Sequence, residues 1–379
     1  MRDSGKSTQS LVYKLLQSDL RERVRETVVS LSGHNGMTNP IGVLLDVTSH
    51  CNLNCSWCID RYSLFNTEIP THRAIALIDE FREMGILSIV FFGGGEPLLH
   101  NDLGKLLRHS AESGIATALN TNGILLDRFK DDVAISCCWT RVSLDASSSS
   151  TFRKLHEGRD YFDRIIANVR ALNEVAVGTV GISFVVMEEN VHDMVAAAHL
   201  ARSLNCDFIQ FKPLYQPNPN NERRISYMQS VMKNQAIQQL TELETTFDDR
   251  FEVLITGSLK AALSDSSPMQ LKSYSYCAAQ QLIPLVTPHG VYICPNWRGA
   301  TSKRYGDVMR DSFSTVWNST KHKEIAAETN PSRDCDLFCL RHQTNVIMDA
   351  SIRAQLQGLD LLSLLQVFPS SDLLDRHFL

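Results

Sequence analysis

No stretch of the 379 residues comes near the roughly 18 consecutive apolar residues that a membrane-spanning helix needs. A basic excess is also missing, because 37 Lys and Arg face 42 Asp and Glu for a net charge of -5. That argues against nucleic acid as the main partner, since phosphate binding wants a basic surface. The opening MRDSGKSTQSLVYKLLQ has no apolar core of the kind a secretory signal carries, so a cytoplasmic location is expected. Its GKST at 5–8 looks like the end of a phosphate-binding loop, but the motif's earlier glycine and the preceding strand are both lacking. There is no internal repeat, and the only low-complexity tract is SSSS at 147–150.

Cysteine is what the chain does have. The ten are Cys51, Cys55, Cys58, Cys137, Cys138, Cys206, Cys277, Cys294, Cys335 and Cys339. A chain long enough to bury a sizeable core needs no disulfide framework, and a reducing cytosol would not sustain one. Clustered cysteines then read first as metal or redox sites. Cys137, Cys138 and Cys206 stand beside apolar strand or helix residues and are expected to be small core residues.

Short apolar runs alternate with amphipathic stretches from residue 42 onward. Strands are expected at 43–47, 87–92, 115–120, 140–144, 180–187 and 208–212, and helices at 72–84, 102–113, 161–175 and 191–204. Strand followed by helix, repeated about six times, gives a parallel sheet with right-handed crossovers. Six units are too few to close an eight-stranded barrel, so an open α/β partial (β/α)6 TIM-like barrel is expected, with its chemistry at the carboxyl ends of the strands. The expected organisation is a helical lead-in at 1–38, the barrel at 39–216, a linker helix within 217–240, a smaller domain at 241–345 and a tail at 346–379. The lead-in should hold one amphipathic helix at 11–31. QPNPNN at 216–221 is the expected hinge, a helix should follow at 227–246, and LLSLLQVF at 361–368 should form a helix packed back on the body.

Cys51, Cys55 and Cys58 form C-x3-C-x2-C directly after the first expected strand. Ten cysteines scattered at random over this length would produce about 0.007 such matches, so chance is a poor account. Three thiolates suit zinc with a water in the fourth place, or a [4Fe–4S] cube with one iron left open for an exogenous ligand. Cys277, Cys294, Cys335 and Cys339 offer four thiolates, enough for a closed [4Fe–4S] cluster or for tetrahedral zinc.

The company the first motif keeps carries a resemblance. Trp57 precedes its last cysteine, the second expected strand runs into Gly93-Gly94-Gly95-Glu96-Pro97, the third ends in Thr121-Asn122-Gly123 and the fourth in Ser143-Leu144-Asp145. This pattern, over roughly 41–215, resembles the radical S-adenosylmethionine (SAM) superfamily. The resemblance implies that Cys51, Cys55 and Cys58 hold a [4Fe–4S] cluster, that the glycine turn holds the amino group of SAM, and that Asn122, Ser143 and Asp145 reach its ribose or carboxylate. A turn at Asn122-Gly123 and a helix cap at Asp145 would account for two of these residues without any ligand. HGVYICPNWRG followed by YGDV and SFSTVW resembles the C-terminal extension of the SPASM and twitch subgroup, which implies a second, auxiliary [4Fe–4S] cluster on Cys277, Cys294, Cys335 and Cys339.

The implied chemistry is reductive cleavage of SAM to a 5′-deoxyadenosyl radical, which abstracts a hydrogen atom from substrate. A one-electron donor such as flavodoxin or ferredoxin would feed the first cluster. An auxiliary cluster that takes an electron back makes the net reaction an oxidation, while a hydrogen atom returned to the opposite face makes it an epimerisation. Lys212, Arg298 and Tyr62 are the candidate substrate contacts, whereas His289 and His342 read as turn or surface residues. The lead-in is too short for a leader-peptide-binding domain, so the expected substrate is a small polar molecule of the sugar, aminocyclitol or nucleoside type. A peptide maturase and a zinc-stabilised binding module are the alternatives.

Overall fold

The computed structural model describes residues 18–33, 37–63, 66–216, 224–225, 230–247, 251–264, 272–335, 339–360 and 362. The GKST segment, residues 11–17 of the expected first helix, residues 217–221 of the hinge and all but one residue of 361–368 lie outside them.

Six strands and four of the helices between them fall where apolar periodicity puts them. In chain order the elements of this part are β1 (Gly42–Leu45), α2 (Thr71–Glu83), β2 (Ser88–Phe91), α3 (Leu103–Glu112), β3 (Ala116–Thr121), α4 (Leu126–Ser136), β4 (Cys137–Ser143), α5 (Ser149–Leu155), α6 (Phe162–Asn173), β5 (Thr179–Val186), α7 (Met194–Ser203) and β6 (Phe208–Pro213). All six are parallel and paired in chain order. α4 and α5 were not expected as separate helices; Ser148, whose side chain accepts from the Thr151 amide, starts the second of them.

The sheet does not stop at six. β9 (Glu252–Ile255) adds in parallel to β6, and β10 (Leu285–Thr287) adds in parallel to β1 at the other edge. β11 (Gly290–Tyr292) and β12 (Arg304–Gly306) continue from β10 as antiparallel strands. The order β12-β11-β10-β1-β2-β3-β4-β5-β6-β9 leaves the sheet open, with eight parallel strands where the sequence suggested six. A separate two-stranded ribbon pairs β7 (Tyr215–Gln216) with β8 (Arg224–Ile225).

Alternation along each strand gives the sheet two unlike faces. Val43, Leu45, Ile89, Phe91, Leu119, Val142, Ile182, Phe184, Ile209 and Phe211 point outward into one large core under the helices. Leu44, Val90, Ala118 and Trp139 form a small apolar floor on the inner face. Beyond that floor the inner positions become polar: Asn120, Arg141, Gln210 and Lys212. The outer face supplies stability, and the inner face is left for a ligand.

α1 (Ser18–Gly33) and α14 (His342–Leu356) pack together. Leu20, Val24 and Val28 share a core there with Ile41, Leu282, Ile283 and Met348. Among the described residues no helix is long and apolar enough to cross a membrane.

Candidate active site

The loop after β1 carries Cys51, Cys55 and Cys58 and is held at both ends. The Ser49 amide donates to Thr67 O at 2.8 Å, the Cys58 amide to Cys55 O at 3.1 Å, and the Glu96 amide to His50 O at 2.7 Å. This last bond brings the glycine turn against the cysteine loop. A Cβ on Gly95 would stand 2.1 Å from His50 O, one on Gly93 2.2 Å from Gly95 O, and one on Gly94 2.9 Å from Arg298 Nε. Side chains are therefore excluded at all three positions by the protein's own packing as well as by any ligand.

The three thiols feel one another. Burial pushes Cys51 up to about 11 and Cys58 up to about 12; burial and the charges of Cys58 and Cys51 raise Cys55 further. Thiols kept protonated by burial, and by neighbouring negative charge, are a site waiting for a cation to compensate thiolate charge. Among the described residues no three His, Cys, Asp or Glu side chains close around a single ion. A cubane asks for something different, one thiolate per iron, and the Cys51, Cys55 and Cys58 set fits it. His156 Nδ1 lies 3.2 Å from Cys55 Sγ, and its ring rests 4.1 Å from that of Phe152. Burial lowers the His156 pKa to about 4, so the ring is neutral.

Glu96 is a positioning group. Its carboxylate is buried and accepts from the Leu98 amide at 3.0 Å, Thr121 Oγ1 at 2.6 Å and the Asn122 amide at 2.7 Å. Burial raises its pKa to about 6. Asn122 Nδ2 in turn donates to Asn52 Oδ1 at 2.7 Å, so the end of β3, the glycine turn and the cysteine loop form one hydrogen-bonded unit. Pro97 opens a short 3₁₀ turn behind Glu96. Asp145 adopts φ 57°, a left-handed conformation, and its Oδ1 accepts the Val185 amide at 2.6 Å. It is thus no helix cap. Asn190 fastens the same corner, donating to Asp145 O and Val185 O at 2.9 Å each. Ser143 stands half-buried at the end of β4.

Tertiary structure gathers the second cysteine set from segments far apart in sequence. Burial and the charges of Cys339 and Cys294 raise Cys277 to about 12, and Cys294, Cys277 and Cys339 all act on Cys335. Polar groups face these sulfurs: the Arg341 amide donates to Cys339 Sγ at 3.3 Å and Asn345 Nδ2 to Cys277 Sγ at 3.7 Å. Lys272 Nζ donates to Cys335 O at 2.6 Å. Four mutually close thiols flanked by cations and N–H donors fit a closed cluster. Cys137 and Cys206 are buried in the core and Cys138 is half-buried, as expected for cysteines outside either set.

A cavity of about 740 Å³ lies between the first cysteine loop and the second set, touching Trp57 and Asp60 of that loop on one side and Cys294 and Cys339 on the other. Lys212 and Arg298 line it, whereas Tyr62 is 48% exposed on the surface loop beyond Cys58 and lines none of it. Arg298 has a different task from the one expected. Its Nε donates to Asp46 Oδ2 at 2.6 Å, one terminal nitrogen to Asp46 Oδ1 at 3.2 Å, and the other pairs with Asp60. Its charge ties the segment after β11 to the end of β1 and to the cysteine loop, and these carboxylates hold it protonated. His289 bonds Thr67 Oγ1 at 2.8 Å, but His342 reaches the cavity and shares a 3.1 Å bond with Tyr274 Oη. His156, Arg141 and the cavity position of His342 are what sequence reasoning missed. Inward alternation on β4 could have found Arg141; nothing local marks the other two.

The sequence profile of the radical SAM superfamily matches residues 45–201. The Fe-coproporphyrin III synthase of Methanosarcina barkeri is 30% identical over 308 residues, covering 76% of each chain. The PqqA peptide cyclase of Bradyrhizobium diazoefficiens is 24% identical over 175 residues, covering 45% of this chain and 46% of its own. The crystal structure of Streptococcus suis SuiB bound to its precursor peptide SuiA has the same fold, with a TM-score of 0.60 at 16% identity, covering 85% of this chain and 76% of that one.

Proposed function

The chain belongs to the radical SAM superfamily, whose members use a [4Fe–4S] cluster and SAM, and on that footing we propose that it modifies a peptide. The cofactor pair supplies a 5′-deoxyadenosyl radical able to take a hydrogen atom from an unactivated carbon. Cys51, Cys55 and Cys58 would hold the first cluster, with the turn Gly93–Gly95, Asn122 and Ser143 beside it for SAM. Glu96 and Asp145 keep those backbone segments in place. Cys277, Cys294, Cys335 and Cys339 would hold an auxiliary cluster, and a one-electron donor such as flavodoxin or ferredoxin would serve the first. Trp57 and the apolar floor give the space between a partly nonpolar wall, which suits a carbon radical.

The observation that carries the reading is the cavity walled by Cys294 and Cys339 of one cysteine set and by Trp57, Ile59 and Asp60 of the loop that carries the other. A small polar metabolite, the substrate the sequence favoured, loses ground to a peptide because relatives that match by sequence and by fold include a peptide cyclase and a protein crystallised with its precursor peptide. A second reading, an iron-porphyrin-like macrocycle, is favoured by the 30% identity to an Fe-coproporphyrin III synthase.

Anaerobically reconstituted protein should contain a four-iron centre whose EPR signal changes on adding SAM, and should release 5′-deoxyadenosine with dithionite. Cys55→Ala should abolish that release; Cys335→Ala should keep it while stopping substrate conversion. A synthetic peptide corresponding to a small reading frame that flanks the gene should stimulate release and lose hydrogen by mass spectrometry. Release by Cys55→Ala would defeat the cluster assignment, and no response to that peptide, alongside conversion of a porphyrin, would favour the second reading.

A further inference from the structure

Burying cations without a hydrogen-bonded counter-ion is costly, and the wall of the cavity carries two. Arg141 on β4 donates from Nε to Asn120 Oδ1 and from a terminal nitrogen to Gln210 Oε1, both at 2.7 Å. Both partners are neutral amides. The other three N–H donors of this guanidinium have no acceptor among the described residues, and the Trp139 ring lies 5.4 Å from its carbon. Lys212, on the neighbouring inward register of β6, makes no hydrogen bond or ion pair within the described residues. Burial and the Arg141 charge both disfavour its protonated form. The carboxylate that acts on it is Asp145, whose Oδ1 already accepts the Val185 amide.

Of the remaining charged residues around the cavity, Lys260 is exposed to solvent and the others have partners. Asp60 is the only carboxylate among its lining residues, and it pairs with Arg298, as does Asp46. Lys272 and Arg341 also line the cavity, but they face the auxiliary thiols: Lys272 lowers Cys335 and Cys339, and Arg341 lowers Cys277 and Cys339. Thiolates of a bound cluster would use up those two cations. Arg141 and Lys212 act on none of these thiols, and with Asp145 as the one carboxylate acting on Lys212 the two cations leave a net positive charge.

A guanidinium pre-oriented by two amide acceptors, with its remaining N–H groups free and an ammonium beside it, is the geometry of a carboxylate receptor. We propose that the occupant of this cavity presents a carboxylate to Arg141 and Lys212. The proposal rests on reading the cavity as the substrate chamber, and it narrows the substrate to one bearing an acid near the carbon that reacts. The acid could be an Asp, Glu or C-terminal carboxylate of a peptide, or a propionate arm of a macrocycle. Bound there, it offsets a desolvation cost the free protein carries, so affinity and orientation are gained together.

The probe is glutarate, with glutaramide as its uncharged isostere, titrated calorimetrically into reconstituted full-length protein saturated with SAM. Glutarate should bind about tenfold or more tightly than glutaramide, a preference worth about 1.4 kcal/mol or more. Arg141→Gln and Lys212→Met should each erase most of that preference, and Arg141→Lys should retain part of it. Equal binding of the two probes, no saturable glutarate binding, displacement of SAM by glutarate, or a preference that survives both variants would overturn the assignment. The wild-type comparison alone decides if a variant does not fold. Competition against glutarate by Ala-Glu-Ala compared with Ala-Gln-Ala, and by coproporphyrin III compared with its tetramethyl ester, identifies the source of the carboxylate. Absence of a SAM-responsive four-iron EPR signal would sink the radical SAM reading of the cavity; with that signal intact, a failed glutarate preference sinks the carboxylate alone.

Discussion

His156 shows how one residue far from the motif can tune it. A metal-bound thiolate accepts hydrogen bonds only, so against Cys55 the neutral ring must donate from Nδ1. Donation to a cluster sulfur favours the reduced state, which carries more negative charge. Replacing His156 with Leu should therefore move the midpoint potential of the first cluster to more negative values, read by EPR-monitored redox titration. His156→Gln, which keeps a donor, should shift it less; equal shifts, or none, would count against the contact. Glu96 makes the complementary point. The family turn reads in sequence as a ligand motif, yet this carboxylate is spent on three internal donors, so its chemistry is architectural.

Arg298 acts between elements. The segment after β11 is attached to β1 and to the loop of Cys58 through one buried guanidinium held by two carboxylates. Arg298→Met would leave Asp46 and Asp60 buried without a counter-ion, and breaking such an arrangement from one side costs about 3–5 kcal/mol. The variant should melt at clearly lower temperature and bind less iron. An unchanged melting curve would show that the bridge is offset by solvent. Neighbouring strands explain which elements were legible. β1 to β6 announce themselves through apolar runs of ordinary length between amphipathic helices. β9 and β10 are four and three residues long and join the sheet only by parallel pairing to strands remote in the chain, a contact no local pattern encodes.

Across the whole molecule, acid should loosen the fold through buried neutral histidine. His322 is fully buried, bonds Trp317 O through Nδ1 at 2.6 Å, and lies 3.9 Å from the Tyr305 ring and 4.2 Å from the Trp317 ring. It thereby joins β12 to α11 (Phe313–Trp317) and α12 (Thr320–Glu328). Burial lowers its pKa from 6.5 to about 4, so below pH 6.5 the unfolded chain binds the proton more readily than the folded one. Stability therefore falls as pH drops from 6.5 toward 4, by about 1.4 kcal/mol at pH 5.5 from this group alone. Melting temperatures at pH 7.5 and 5.5 should differ less for His322→Gln than for the parent. An equal difference would mean another group carries the acid response.

What the sequence determined by itself is the chemistry-bearing local pattern: three cysteines at fixed spacing after a strand, a glycine turn after the next, and six alternations of strand and helix. These are short-range features, set by side-chain periodicity and backbone freedom within a few residues. Tertiary structure decided the rest. It brought Cys277, Cys294, Cys335 and Cys339 together, placed His156 on Cys55, gave Arg298 to Asp46 and Asp60, and left Arg141 and Lys212 facing the same space. Each of those outcomes depends on chain segments that meet only after the sheet has paired, and electrostatic roles follow from which charges end up adjacent in a buried space.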